Sequence, residues 1–97
     1  MTSDQAEQIG IAALGWLCAE DTLLPVFLAA SGASVADLRA QLGAADGPEL
    51  PLLMAALDFV LMRDDTVIAC AQAVGLRNDQ LVQAQAVLSG AAQMHWT

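Results

Sequence analysis

The same succession of segments occurs twice in this chain. An apolar, alanine-rich run ends at residues 20–22 (Glu-Asp-Thr), and a second apolar run then leads to Gly32. The same order recurs at residues 64–66 (Asp-Asp-Thr), with Gly75 closing it. The copies lie roughly 43–44 residues apart, the length of two or three short helices with their turns. The chain is therefore either two related three-helix halves or a helical protein that uses the same caps, glycines and leucine stripes twice.

The composition favours an all-α fold in a single domain over residues 1–97. The hydrophobic fraction is 57%, above the roughly 45–50% of soluble domains. Much of the excess is alanine, the best helix former, whereas aromatic residues are sparse and tyrosine is absent. We expect a compact bundle of five to six short helices.

Caps, glycines and apolar spacing place the helices. The predicted helices cover about 4–19, 22–31, 35–42, 51–62, 64–74 and 79–89, and residues 91–97 form a flexible tail. Predicted N-terminal caps are Thr2 with Gln5, Thr22 or Asp21, Ser34 with Asp37, Asp64 or Asp65, and Asn78. Predicted stops are Gly32, Gly43, Gly75 and Gly90. The side chains expected to face inward are Ile9, Ala13, Trp16, Leu17, Leu24, Phe27, Leu28, Val35, Leu38, Leu42, Val67, Ile68, Ala71, Val74, Leu81, Val82 and Leu88. Gly10 and Gly15 weaken the first helix, and close packing against another helix is the expected reason for them.

The fourth predicted helix is apolar on nearly every side, which is typical of a central helix. Asp58 interrupts its apolar run. Burying this carboxylate without a partner would cost several kcal/mol. We therefore favour a position on the solvent stripe of the helix over a buried, paired one.

The net charge of −8, with three arginines and no lysine, argues against binding to nucleic acid or to anionic membranes. Residues 28–42 and 71–85 have helix-turn-helix spacing, but their second helices offer almost no cations for phosphates. The apolar stretches are shorter than the ~18–20 residues of a membrane span. We expect a soluble cytoplasmic protein.

The chain has few residues suited to catalysis or metal binding. The acidic pairs at 20–21 and 64–65 suit Mg²⁺ or Ca²⁺, but they lie where helices begin, and we assign them to capping. His95 is the only histidine and has no recognisable nucleophile partner. Cys18 and Cys70 are isolated and predicted to be small buried hydrophobes in a reducing cytosol. We expect no enzyme, no cofactor and no metal.

Several short motifs, in order, resemble one known family. They are residues 18–21 (Cys-Ala-Glu-Asp), 27–29 leading to Gly32, 37–39 (Asp-Leu-Arg), 57–59 (Leu-Asp-Phe) and 71–76 (Ala to Gly-Leu). This order resembles a family of short alphaproteobacterial proteins catalogued as domain of unknown function 3572. The chain departs from it at residues 77–79, where an Asp-Pro-like helix start is expected. The resemblance implies a small helical bacterial protein and carries over no catalytic or binding residue.

We therefore expect a protein-interaction module, acting with an unknown protein partner or as a homo-oligomer. Its candidate surface is Leu52, Met54, Phe59 and Met62, because the fourth helix has more large apolar residues than one inner stripe can bury. An acidic rim around such a surface would favour a basic partner. The alternative is a degenerate helix-turn-helix domain without strong DNA binding.

Overall fold

Six α-helices run through the part of the chain that the computed structural model describes, residues 1–45 and 47–93, with side chains up to Gly90. The helices are α1 (Ser3–Ala19), α2 (Leu24–Ser31), α3 (Val35–Leu42), α4 (Leu50–Leu61), α5 (Asp64–Val74) and α6 (Asn78–Gln93). These residues contain no strand. The predicted all-α bundle is confirmed.

Both predicted capping boxes are present. At the start of α1 the Gln5 N–H donates to Thr2 Oγ1 at 3.1 Å, and the Thr2 N–H donates to Gln5 Oε1 at 2.9 Å. At the start of α3 the same reciprocal pair joins Ser34 and Asp37, at 3.1 Å in both directions. Each box satisfies two backbone donors around the start of its helix, so these helices begin where the sequence predicts.

The start of α2 differs from the prediction. The helix begins at Leu24, and neither Asp21 nor Thr22 caps it. The Glu20 carbonyl oxygen instead accepts the N–H groups of Leu23 and Leu24, at 3.1 and 2.9 Å. Backbone hydrogen bonds of a turn therefore stabilise the start of α2, in place of the predicted side-chain cap.

The starts of α5 and α6 are also shifted. Arg63 is the N-cap of α5, and Asp64 and Asp65 lie inside its first turn. Their carboxylates still suit this position because they complement the positive end of the helix dipole. Asn78 is the first residue of α6 rather than its cap, and the Arg77 N–H donates to the Gln80 side chain at 2.8 Å.

The end of α6 lies beyond the predicted stop. Gly32 and Gly75 follow α2 and α5 with φ of 76°, the left-handed conformation that ends a helix. Gly90 does not adopt a positive φ, and α6 continues through it to Gln93. The predicted tail therefore overlaps α6 at residues 91–93, and residues 94–97 lie outside the described residues.

The core is built by α1, α4 and α6, which pack against one another. Helix α5 packs on all three, and α2 packs on α1 and α4. The predicted central position of α4 is thus confirmed, although α1 shares it. The buried apolar side chains form one cluster: Ala6, Ile9, Ala13, Leu14, Leu17, Phe27, Leu38, Leu52, Leu53, Ala56, Leu57, Val60, Val67, Cys70, Ala71, Leu81, Ala84 and Leu88.

The two halves differ in their third helix. Leu38 of α3 lies six residues after Gly32, Leu81 of α6 lies six residues after Gly75, and both leucines are buried. However, α6 has 16 residues and packs against three helices, whereas α3 has 8 residues and Leu38 is its one buried residue. Buried leucines therefore occupy equivalent sequence positions in α3 and α6, but the two helices occupy different places in the bundle.

Four side chains that were expected to face inward are exposed. They are Val35 and Leu42 on α3, Ile68 on α5 and Val82 on α6. The expectation was wrong for α3 because that helix lies at the periphery and buries a single side chain. On α5 and α6 the buried stripe is narrower than the run of aliphatic residues, so one aliphatic residue on each helix turns outward.

Among the described residues, no single helix is both long and apolar enough to cross a membrane. Ser3–Ala19 and Leu24–Ser31 reach the necessary length and composition only when taken together, and they are bent by 119° relative to each other.

The two glycines of α1 differ in their surroundings, which predicts opposite effects of alanine. A Cβ on Gly10 would lie 3.2 Å from Leu53 Cβ on α4, whereas a Cβ on Gly15 would meet no atom within 4 Å. Gly15→Ala should raise the free energy of unfolding by about 0.5–1 kcal/mol, because alanine loses less backbone entropy in a helix. Gly10→Ala should lower it, because Leu53 must shift by a few tenths of an ångström within a close-packed core.

Urea denaturation followed by circular dichroism measures both variants. Gly15→Ala is the matched control, since it makes the same chemical change in the same helix. Equal stabilisation by the two substitutions would contradict a tight contact between α1 and α4.

Candidate interaction surface

The structure separates the four side chains that the sequence assigned to an interaction surface. Leu52 is buried in the core, with 8% of its surface exposed. Met54 and Phe59 are half-buried and pack against the core. Met62 is 76% exposed at the end of α4. The four therefore do not form one continuous surface, and their role in binding stays a prediction.

Phe59 and Met62 share a shallow groove between α2 and α4. Its volume is about 230 Å³, and its lining residues are Ala30, Ser31, Ala55, Asp58, Phe59 and Met62. The Phe59 ring is held in place by Phe27, whose ring centre lies 5.5 Å away in an edge-to-face arrangement. Phe59 thus packs against α2, and Met62 is the one strongly exposed large apolar side chain of the groove.

Asp58 lies on the solvent stripe of α4, as predicted. Its Oδ1 accepts a hydrogen bond from Gln85 Nε2 on α6 at 2.9 Å, and the same Nε2 donates to Ser89 Oγ at 3.1 Å. The carboxylate therefore links α4 to α6 at the surface, without the cost of burying a charge.

A larger apolar groove lies between α5 and α6, beside the end of α4. We call it the α5–α6 groove, with a volume of about 390 Å³ and lined by Leu61, Asp64, Val67, Ile68, Asn78, Asp79 and Val82. Ile68 and Val82 are 46% and 53% exposed. Val67 is buried and Leu61 is half-buried, so these two link the groove to the core.

Carboxylates border the α5–α6 groove. Asp64 lies one turn before Ile68 on α5, and Asp79 lies one turn before Val82 on α6. Asp79 is paired with Arg77 through Nε and Oδ1 at 3.0 Å. The hydrogen bond from Arg77 lowers the pKa of Asp79, which therefore carries its negative charge at neutral pH. Asp64 has no ion pair among the described residues.

Sequence reasoning missed this groove because it assigned Ile68 and Val82 to the core. The residues that precede Ile68 and Val82 could have indicated that these two side chains are exposed. Val67 precedes Ile68 and Leu81 precedes Val82, and adjacent helical residues point about 100° apart. Only one member of each pair can face a narrow buried stripe, so the other is placed at the surface.

The two acidic segments of the repeat meet at one open cleft between the end of α1 and α5. Its volume is about 560 Å³, and its lining residues are Trp16, Glu20, Thr22, Leu23, Arg63, Asp65, Thr66, Ala69, Gln72 and Ala73. Asp65 is engaged within its own turn, because Oδ1 accepts the Thr66 N–H at 2.9 Å and Oδ2 pairs with Arg63 at 3.0 Å. Among residues 1–45 and 47–93, no group of three or more metal-ligating side chains comes together. The absence of metal binding stays a prediction, and His95 lies outside the described residues.

A comparison of the chain with models of known protein families shows its family. A model of the family described as Protein of unknown function (DUF3572) matches residues 3–91. The chain belongs to this family. The match spans all six helices up to the last turn of α6, so it covers both grooves. The comparisons with curated proteins and with solved structures gave no match.

In this DUF3572 protein both cysteines are free thiols. Cys70 lies in the core, and burial raises its pKa from an ordinary 9.0 to about 11. Cys18 is half-buried, and burial raises its pKa as well. Thiols held in the neutral form are poor nucleophiles, so the surroundings of both residues suit packing rather than reactivity.

The burial of Cys70 predicts a loss of stability at alkaline pH. Between pH 9 and about 11 the thiol ionises in the unfolded chain but stays protonated in the folded one. The unfolded state then binds fewer protons, and the free energy of unfolding should fall by on the order of 2 kcal/mol across this range. Lysine and tyrosine side chains do not contribute to this change, because the chain has neither.

Urea titrations at pH 8 to 11 measure this dependence. Cys70→Ala should remove most of the fall, whereas Cys18→Ala should retain most of it. An unchanged pH dependence in Cys70→Ala would show that another group causes the loss.

Proposed function

We propose that this DUF3572 protein is a non-enzymatic protein-interaction module whose contact surface is the α5–α6 groove. The single observation that supports the proposal is the exposure of Ile68 and Val82 side by side in one groove. Exposed apolar residues are common singly, but neighbouring ones with a concave shape are typical of contact sites.

The groove has the form of a helix-binding site. Its walls are two helices, its apolar side chains are large and aliphatic, and each wall has a carboxylate one turn before its exposed aliphatic residue. An amphipathic helix fills such a groove with side chains spaced three or four residues apart. The groove of Phe59 and Met62 is smaller and offers one strongly exposed side chain, so we rank it second.

We propose that the protein has no catalytic activity. Four of its described carboxylates act in a cap, in local ion pairs or in the link between α4 and α6, namely Asp37, Asp65, Asp79 and Asp58. Its two thiols are shifted toward the neutral form. A general acid or base needs a shifted pKa at a positioned side chain, and a thiol nucleophile needs a lowered one. The free thiols also suit the reducing bacterial cytoplasm that we propose as its location.

The alternative function is a degenerate helix-turn-helix domain. Its support is that α2 and α3, like α5 and α6, are joined by three residues beginning with a left-handed glycine. The charge argues against DNA binding, because α6 carries Asp79 and no cation among its residues 78–93. A mobility-shift titration with duplex DNA at low salt should show no binding, and salt-sensitive micromolar binding would favour this alternative.

Substitutions in the groove test the interaction proposal. Val82→Gln and Ile68→Gln should fold normally, because both side chains are largely exposed and glutamine is a good helix former. Each should reduce the recovery of a specific partner from native cell extract by about fivefold or more, the effect of losing about 1 kcal/mol of binding. Quantitative mass spectrometry of affinity-captured proteins measures the recovery.

The matched control is Val26→Gln. Val26 is 55% exposed on α2 and does not line the groove. A partner recovered equally with wild type, Val26→Gln and Val82→Gln would place the contact surface elsewhere on the bundle.

A further inference from the structure

The chemistry around the α5–α6 groove identifies the kind of segment that it accepts. We propose, resting on the function proposed above, that the occupant is an amphipathic helix of a partner protein with arginine or lysine residues beside its apolar face. Its apolar side chains lie between Ile68 and Val82, and its cations reach Asp64 and Asp79.

The position of the carboxylates supports a helix that is basic along one edge. Asp64 and Asp79 each lie on the same helical face as an exposed aliphatic residue, one turn away. A helix whose apolar side chains occupy the groove therefore brings its flanking residues within reach of both carboxylates. Long arginine and lysine side chains suit this position, since their stems cover apolar surface while their charges stay in water.

The ion pairs within the chain do not neutralise all of the negative charge that borders the α5–α6 groove. Arg77 engages Asp79 through two contacts, from Nε at 3.0 Å and from Nη2 at 3.5 Å. This pair is exposed, with 72% and 58% of the two side chains accessible, so a partner's cation can join or replace Arg77 at small cost. Asp64 adds a charge that no cation among the described residues neutralises.

Charge also favours a different protein over a second copy of this chain as the occupant of the groove. Each copy carries a net charge of −8. Two copies joined through this groove would bring Asp64 and Asp79 toward the acidic surface of the other copy, and like charges across an interface oppose association. The same field speeds the approach of a basic segment.

A peptide titration tests the inference directly. The probes are two designed amphipathic helical peptides with the same leucine face, one flanked by lysines and the other by glutamates, each carrying a fluorophore. Fluorescence anisotropy with the full-length protein should give a Kd at least about tenfold lower for the lysine peptide at low salt. The difference should shrink at physiological ionic strength, where the Debye length is about 8 Å.

Single substitutions locate the charges. Asp64→Asn and Asp79→Asn should each weaken binding of the lysine peptide by about two- to fivefold, the range of an exposed ion pair. Asp4→Asn on α1 is the control, because it makes the same change in net charge away from the groove and should alter binding less. Equal Kd values for the two peptides, no binding of the lysine peptide, or an equal effect of Asp4→Asn would overturn the inference.

Val82→Gln separates this inference from the proposed function. If it weakens both peptides equally while the two peptides bind alike, the groove is the contact site and its preference for cations is wrong. If the aspartate variants lower binding and Val82→Gln does not, the carboxylates bind the peptide without the groove, and both proposals are wrong. Sedimentation of the protein alone should show a monomer, and a dimer abolished by Val82→Gln would assign the groove to a second copy.

Discussion

The packing of α1 against α4 is the contact on which the rest of the bundle depends. At Gly10 the two helices come close enough that one added carbon would lie 3.2 Å from Leu53 Cβ. Helix α6 packs on both of these helices, and α5 rests on all three. A change in the distance between α1 and α4 would therefore alter every other helix contact in the core, because protein interiors are close-packed and do not deform smoothly.

The short outer helices depend less on the core and more on local hydrogen bonds. Helix α3 buries only Leu38, and its start is fixed by the reciprocal bonds of Ser34 and Asp37. Isolated helices of eight residues are unstable in water. The position of α3 thus combines a local cap with one buried anchor, and this leaves Val35 and Leu42 exposed.

The α5–α6 groove arises for a similar reason, because the core buries only part of the apolar surface of each helix. Each of its two helices offers more aliphatic surface than the core can accept, and the exposed aliphatic residue of each helix lines this groove. Helix starts also favour aspartates, because of the helix dipole. An apolar groove bordered by carboxylates is therefore a consequence of ordinary helix rules, and its use as a contact site is what the proposed substitutions test.

The helical class and most helix ends follow from the sequence alone. The reason is that capping boxes, left-handed glycines and apolar spacing act over a few neighbouring residues, as Thr2, Ser34, Gly32 and Gly75 show. Which aliphatic residues are buried, by contrast, depends on the tertiary packing. Ile68 and Val82 have the same local pattern as their buried neighbours, and the difference arises from which helix lies opposite each side chain. The same holds for α3, whose sequence matches that of a core helix but whose neighbours leave it at the edge.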